Sequence, residues 1–211
     1  MPPPASPTAT PATITRLSET LHLFSLALWL GAVVMSGVVA AVVFPLVREL
    51  DPTLGAYPEF TGDHANLAAG RIAARVFLIA DGAQFAGAFL ALVTVTALIL
   101  RGAISNRRLA HGVRVVALAV ALTSVSYQLL LLAPRMDRNL SAYWAAAEAG
   151  DNQAAETARL AFAEDHPTAS RTLSITALAV ATSLGFGLWS CQAPRVARRE
   201  GAGGPGEATD G

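Results

Sequence analysis

Four long apolar segments dominate this chain of 211 residues and restrict what it can fold into. Each approaches or exceeds the roughly 20 apolar residues that cross a hydrocarbon core about 30 Å thick. Charged residues make up only 14% of the chain, against about a quarter in ordinary soluble domains. The pattern predicts an all-α integral membrane four-helix bundle. The predicted spans are 21–44, 76–100, 113–133 and 173–189.

Composition excludes several function classes. The 15 basic and 15 acidic residues give a formal net charge of zero, so no overall positive field favours nucleic acid. All the basic residues are arginine, which excludes Schiff-base chemistry on a lysine. One cysteine, Cys191, forms neither an internal disulfide nor a thiolate zinc site. Since motifs such as Gly-x-Ser-x-Gly are also absent from the sequence, we expect no enzymatic activity.

The arginines near the span ends predict the orientation. The loop between the second and third spans carries Arg101, Arg107, Arg108 and Arg114 and no acidic residue. Short loops with excess positive charge stay in the cytoplasm. Four spans then place both termini in the cytoplasm, and we expect the protein in the plasma or inner membrane.

The segments around the spans divide the chain further. We expect a membrane domain at 17–191 between two disordered cytoplasmic tails, 1–16 and 192–211, which have little to bury. Pro45 and Pro134 are expected to end the first and third spans, because proline lacks the amide donor that a continuing helix needs.

Short external surface helices are expected in the second external loop, at 141–149 and 151–162. Gly150 would end the first of these helices and Asp151 would cap the second. Small residues at fourth positions, such as Gly87 and Ala91, predict close helix packing within the bundle.

The two halves of the sequence resemble each other. His22 precedes Pro45 by the same spacing by which His111 precedes Pro134, and both external loops end in Phe-x-x-Asp-His. We interpret the halves as two parallel-repeat helical hairpins, related by a pseudo-twofold axis along the membrane normal.

An ionisable side chain inside a membrane normally faces the bundle interior and has a partner. Asp81 is such a carboxylate, and Gln84 follows it one turn along the same helical face. This pattern predicts a small polar pocket in the outer half of the bundle. The alternative is that these groups only join helices by hydrogen bonds. The candidate pocket residues are Asp81, Gln84, Tyr127, Gln128, Arg75, Arg135 and Arg171.

The four histidines suggest a different site. Imidazole is a common metal ligand, and a neighbouring carboxylate can complete or orient a site. Paired histidines from two repeats would then bind copper, or the two faces of a haem. The candidate ligands are His64 and His166 with Asp63 and Asp165 at the outer end, and His22 and His111 at the inner end.

Several segments resemble a known family. They are His22 to Gly31 (HLFSLALWLG), Ala69 to Phe77 (AGRIAARVF), Leu132 to Asp137 (LAPRMD), and Phe162, His166 and Ser170 in the second external loop. Together they are similar to the four-pass membrane domain typified by transmembrane protein 205, over about residues 17–190. This resemblance implies a multi-pass membrane protein without an established catalytic activity. His22 with Trp29 and Gly31 also resembles the first helix of copper-resistance D-type membrane proteins.

The sequence therefore predicts a non-enzymatic multi-pass membrane protein with a small outer polar pocket and no cofactor. A metal- or haem-binding protein that uses the paired histidines is one alternative. A small proton-coupled transporter in which Asp81 titrates is the other. The expected partners are the lipid bilayer and either further copies of the chain or other membrane proteins.

Overall fold

The computed structural model describes residues 11–104 and 109–192, and the regular secondary structure in those ranges is helical. A π-helical turn at Gln128–Leu132 joins α3 to α4 without a break. The helices are α1 (Pro11–Leu50), α2 (His64–Leu100), α3 (Leu109–Tyr127), α4 (Ala133–Glu148) and α5 (Asn152–Gln192).

The expected disordered tails lie largely outside the described residues. Residues 11–16 were expected to be disordered, but they form the first turns of α1.

Four helical rods are long and apolar enough to cross a membrane. Between 17% and 33% of the most apolar window of each rod is buried inside the bundle. Large side chains such as Leu78 and Ile79 face outward, 70% and 73% exposed. Such extended apolar surfaces are unfavourable in water but match lipid. The prediction of an all-α, multi-pass membrane fold is confirmed. The rods are Ala12–Leu50, His64–Leu100, Leu109–Glu148 and Asn152–Ser190.

The rods pair as two antiparallel hairpins. α1 packs along α2, and the rod made of α3 and α4 packs along α5. α1 also contacts α5, which joins the hairpins. All four rods contribute to one central core that surrounds Trp29, and the Trp29 side chain is fully buried.

The prediction that Pro45 and Pro134 end helices is wrong. α1 continues through Pro45 to Leu50, because proline removes a single hydrogen bond there and Val47 packs on Ala65 and Ala69 of α2. Before Pro134 the helix widens into the π turn, in which the Ala133 amide donates to the Gln128 carbonyl. The wider turn accommodates the proline ring, which would clash with the preceding turn of a regular α-helix.

The expected short helices of the second external loop are parts of longer helices. Gly150 has a φ of +72° and ends α4, and the Asp151 carboxylate caps α5 by accepting from the Ala154 amide at 2.9 Å. Both of these local predictions are confirmed. However, α5 does not stop at Phe162 but continues through Pro167 into the fourth span. An interior proline costs a helix about 3 kcal/mol, and packing along the rest of this long helix offsets that cost.

The ends of the two hairpins that carry the 51–63 loop and the turn between α4 and α5 pack together through a second apolar cluster, which includes Tyr57, Phe60 and Tyr143. The guanidinium of Arg71 lies 5.4 Å from the ring centre of Tyr57 and 5.0 Å from that of Trp144. Such cation–π contacts contribute about 0.5 to 2 kcal/mol each. This end of the bundle is therefore held by side-chain packing and is not an open loop region.

Gly87→Ala tests the packing of α1 on α2. A Cβ atom at Gly87 would lie 2.7 Å from Cβ and 3.2 Å from Cα of Trp29, so the two helices would have to separate. We expect destabilisation by about 1 to 3 kcal/mol, measured by unfolding in detergent. Gly82→Ala is the matched control, because a Cβ there meets nothing within 4 Å. Equal effects at both positions would contradict this packing.

Candidate functional site

The predicted outer pocket is only partly assembled by hydrogen bonds. Asp81 is half-buried, and its Oδ1 accepts from Nε2 of Gln84 at 3.2 Å on the same helix. Gln84 is 1% exposed, yet its Oε1 has no hydrogen-bond partner. Gln128 lies in the π turn, and its Oε1 is also buried without a partner. Tyr127 is 39% exposed and so lies at the bundle surface.

The three arginines of the predicted pocket rim are exposed and do not reach Asp81. Arg75 and Arg171 lie on outward faces of α2 and α5. Arg135 forms a bidentate ion pair with Asp165, in which its Nε donates to Oδ2 at 2.7 Å. Within the described ranges, no ion pair joins an arginine to Asp81.

Contacts between the helices fix the relative depths of these residues. His22 lies opposite Thr94, and Trp29, seven residues later in α1, lies opposite Gly87, seven residues earlier in α2. Glu19 of α1 lies level with Arg114 of α3. Following these helices outward places Gln84 and Gln128 at about the same depth, although within the described part of the chain no hydrogen bond joins them.

A second polar cluster lies at the opposite end of the bundle, where α1, α2, α3 and α5 meet. His22 is fully buried there, and its Nδ1 lies 3.1 Å from the Ala91 carbonyl oxygen and 2.9 Å from the Thr94 hydroxyl. Nε2 of the same ring is buried and has no hydrogen-bond partner. The ring is therefore held rigidly by one nitrogen while the other remains unpaired.

Arg114 forms the charged part of this cluster, which we call the inner polar cluster (Glu19, His22, Thr94, Arg114 and Ser183). The guanidinium is 1% exposed, and its Nη1 donates to the Glu19 carboxylate at 2.6 Å. Its Nε and Nη2 are buried and have no partner among residues 11–104 and 109–192. Ser183 of α5 donates to the backbone carbonyl of Arg114 at 3.2 Å. Because buried charges need partners, an arginine with two unpaired donors is an unusual feature.

The outer histidines have structural contacts. His64 accepts from the Leu54 amide at 3.1 Å through Nδ1, so Nε2 carries the proton that it shares with the Phe60 carbonyl at 2.9 Å. Asp63 caps α2 by accepting from the Asn66 amide at 2.8 Å. These contacts leave no lone pair on His64 for a metal.

The rest of the predicted metal set is dispersed. Asp165 pairs with Arg135, and the exposed His166 ring lies 5.9 Å from the Phe162 ring. At the opposite end of the bundle His111 is buried in the first turn of α3, one turn before Arg114. In residues 11–104 and 109–192, no three His, Cys, Asp or Glu side chains converge as a metal site.

Sequence reasoning used Arg114 only to orient the chain and did not select Glu19 or Ser183. One signal was present: Arg114 lies inside the third apolar segment, three residues after His111 and thus on a neighbouring helical face. An arginine inside a span is a candidate functional residue by the same rule that selected Asp81.

No protein-family model matches this chain, and no curated protein or solved structure does. The resemblance to the family of transmembrane protein 205 therefore stays a prediction.

Proposed function

We propose that this chain is a non-enzymatic, multi-pass protein of the plasma or inner membrane that binds a small polar ligand at the inner polar cluster. With both termini in the cytoplasm, the inner polar cluster opens on the cytoplasmic side. The proposed relationship to the family of transmembrane protein 205 fits such a role, because that family has no established catalytic activity. The expected partners are the lipid bilayer and either further copies of the chain or other membrane proteins.

The observation that carries this proposal is the buried guanidinium of Arg114, which is paired with Glu19 through Nη1 only. A buried polar group without a partner costs about 1 to 3 kcal/mol, and more when it is charged. Two nitrogens of Arg114, Nε and Nη2, are buried without a partner. The same is true of Nε2 of His22, which is a donor or an acceptor depending on the tautomer. A bundle that served only as scaffold would gain stability by filling these positions with apolar side chains. A ligand that supplies the missing partners explains why they are polar.

Cysteine accessibility tests this function. In a Cys191→Ala background, which removes the single native cysteine, Ser183→Cys places a thiol beside Arg114. We expect a small water-soluble methanethiosulfonate to modify it, because a ligand site must open to water. Leu118→Cys is the matched control, because position 118 is as buried as position 183 (2% and 0% exposed) but lies in the apolar core, and it should stay unmodified. Equal resistance of both cysteines would reject the ligand site.

The same reagent tests the proposed orientation. Ser183→Cys should react in inside-out vesicles and stay protected in right-side-out vesicles, if the reagent does not cross the bilayer. The reverse pattern would overturn the orientation but not the binding site.

A metal- or haem-linked protein is the second candidate, and His22 favours it. Metal-binding histidines commonly donate one ring N–H to a backbone carbonyl and bind through the other nitrogen. His22 has this arrangement, with Nδ1 on the Ala91 carbonyl and Nε2 unpaired. His22 and His111 would hold the copper ion or the haem, and this cofactor would supply redox chemistry when bound. A visible spectrum without haem bands and less than stoichiometric copper in purified protein would reject this candidate.

The outer polar pocket supports a transport role as the remaining alternative. Gln84 and Gln128 each carry an unpaired amide oxygen at similar depth, and Asp81 is bonded to Gln84. If Asp81 couples transport to protons, Asp81→Asn should abolish proton-driven uptake in vesicles. Gln153→Glu on the exposed start of α5 is a control for surface charge. Unchanged uptake in active Asp81→Asn protein would remove Asp81 from that role.

A further inference from the structure

The unpaired groups of the inner polar cluster have complementary hydrogen-bonding roles. Nδ1 of His22 faces the Ala91 carbonyl oxygen, which can only accept, so Nδ1 carries the ring proton. The Thr94 hydroxyl fits this assignment, because its own proton points to the Leu90 carbonyl at 2.6 Å. Nε2 of the neutral ring is then an acceptor. Arg114 offers two donors and no acceptor.

The two residues are close enough to share one ligand. Arg114 bonds to Glu19, which lies three residues before His22 on α1 and thus on nearly the same helical face. At Gly187 of α5, a Cβ atom would lie 2.7 Å from the side chain of Leu23 and 3.4 Å from Cζ of Arg114. The guanidinium therefore lies against the His22–Leu23 segment of α1, and Gly187 provides the space it occupies.

We propose, building on the ligand-binding function above, that the inner polar cluster binds a small oxyanion that carries a proton, such as hydrogen carbonate or hydrogen phosphate. Its charged oxygens accept from Nε and Nη2 of Arg114, whose planar fork matches an oxyanion. Its O–H donates to Nε2 of His22. An oxyanion without a proton would leave His22 unpaired, and a halide would offer neither the geometry nor the donor.

Glu19 acts as the internal competitor of this ligand. Its carboxylate accepts from Nη1 of Arg114 and already neutralises the guanidinium, so its negative charge competes with that of a ligand at Nε and Nη2. At 21% exposure, the Glu19 side chain is near enough to water to be displaced when the ligand arrives. The exchange of one negative charge for another keeps Arg114 neutralised throughout, which avoids the large cost of a bare buried charge.

Protection of Ser183→Cys from the thiol reagent tests this proposal. Protein in phosphatidylcholine nanodiscs is mixed with sodium phosphate, bicarbonate, sulfate or chloride at constant ionic strength. We expect phosphate or bicarbonate to slow modification at least about fivefold, while sulfate and chloride do not. Equal protection by sulfate, or modification that no anion slows, would overturn the oxyanion assignment while leaving the ligand site itself in place.

Three variants assign the roles of the residues. Glu19→Gln, which removes the competing charge, should lower the protecting concentration about tenfold, as expected for loss of one charge-assisted contact. His22→Phe should remove the preference for phosphate over sulfate, and Arg114→Met should abolish protection. Glu156→Gln, at the opposite end of the bundle, is the control and should change nothing. Protection that persists in Arg114→Met would reject the site.

A phosphate group can come from solution or from a lipid headgroup. Nanodiscs that contain phosphatidic acid, without free phosphate, separate these sources. Protection by free phosphate in phosphatidylcholine discs would identify a soluble ligand. Protection in the phosphatidic acid discs alone would identify a lipid monoester with the same hydrogen-bonding chemistry.

Discussion

Glu19→Leu is expected to destabilise the folded protein by about 3 to 5 kcal/mol, the usual cost of leaving a buried charge without its partner. Arg114 is 1% exposed and its Nη1 bonds to Glu19 at 2.6 Å. After the substitution, all three guanidinium nitrogens face the bundle interior without that carboxylate. Unfolding in mixed micelles with increasing sodium dodecyl sulfate measures the loss.

The double variant Glu19→Leu with Arg114→Met is the control for this prediction. Replacing a buried ion pair by apolar residues of similar size is often neutral, or stabilising by about 1 to 4 kcal/mol. We therefore expect the double variant to be at least as stable as the unmodified protein. When Ser183→Cys is added to the double variant, anions should no longer protect that cysteine. Stability would then be kept or increased while anion binding is lost. A double variant as unstable as Glu19→Leu would show that the inner polar cluster serves stability.

Trp29→Ala should produce an effect of similar size by a different mechanism. Trp29 is fully buried in the central core and packs against Gly87. Deleting a buried tryptophan typically costs about 3 to 5 kcal/mol through lost contacts and the cavity that remains. Within a lipid bilayer the lost stability comes from van der Waals packing. The solvent is itself apolar there, so burying apolar side chains brings little hydrophobic gain. The same unfolding assay, with the folded fraction followed by helicity and mobility, measures the change.

Two variants control for this prediction. Trp29→Phe keeps most of the ring and removes an indole N–H that has no partner, so its cost should be much smaller. Phe85→Ala removes an aromatic ring that is 64% exposed on the lipid-facing side and should change stability little. Comparable losses at positions 29 and 85 would mean that the core does not lie where the helices place it.

The fold class could be predicted from the sequence because crossing a bilayer imposes a simple length and polarity rule. Four apolar segments were enough to predict four helical rods, and Gly150 with Asp151 was enough to predict the local turn between α4 and α5. Helix ends at prolines were mispredicted, since Pro45 and Pro134 are both tolerated within long rods. Whether a proline ends a helix depends on what packs around the lost hydrogen bond, and sequence patterns do not record that.

The candidate site, like the fold, could be predicted only in part from the sequence. From the sequence, Asp81 and Gln84 were selected as polar residues at membrane depth, and Asp81 does receive a hydrogen bond from Gln84. The inner polar cluster could not be assembled in advance, because its members come from four helices and are separated by up to 164 positions between Glu19 and Ser183. Only the packing of α1 and α3 against α5 brings Glu19 and His22 together with Arg114.

The amino-acid sequence by itself determined that this chain crosses a membrane with four apolar helices, because hydrophobic length is a local property that needs no knowledge of neighbours. The tertiary structure alone decided which polar side chains are paired. Whether a buried nitrogen or oxygen has a partner depends on the register and rotation of helices that are distant in sequence. For Arg114 and His22, that register leaves hydrogen-bonding groups unmatched inside the bundle, and it is there that we place the function.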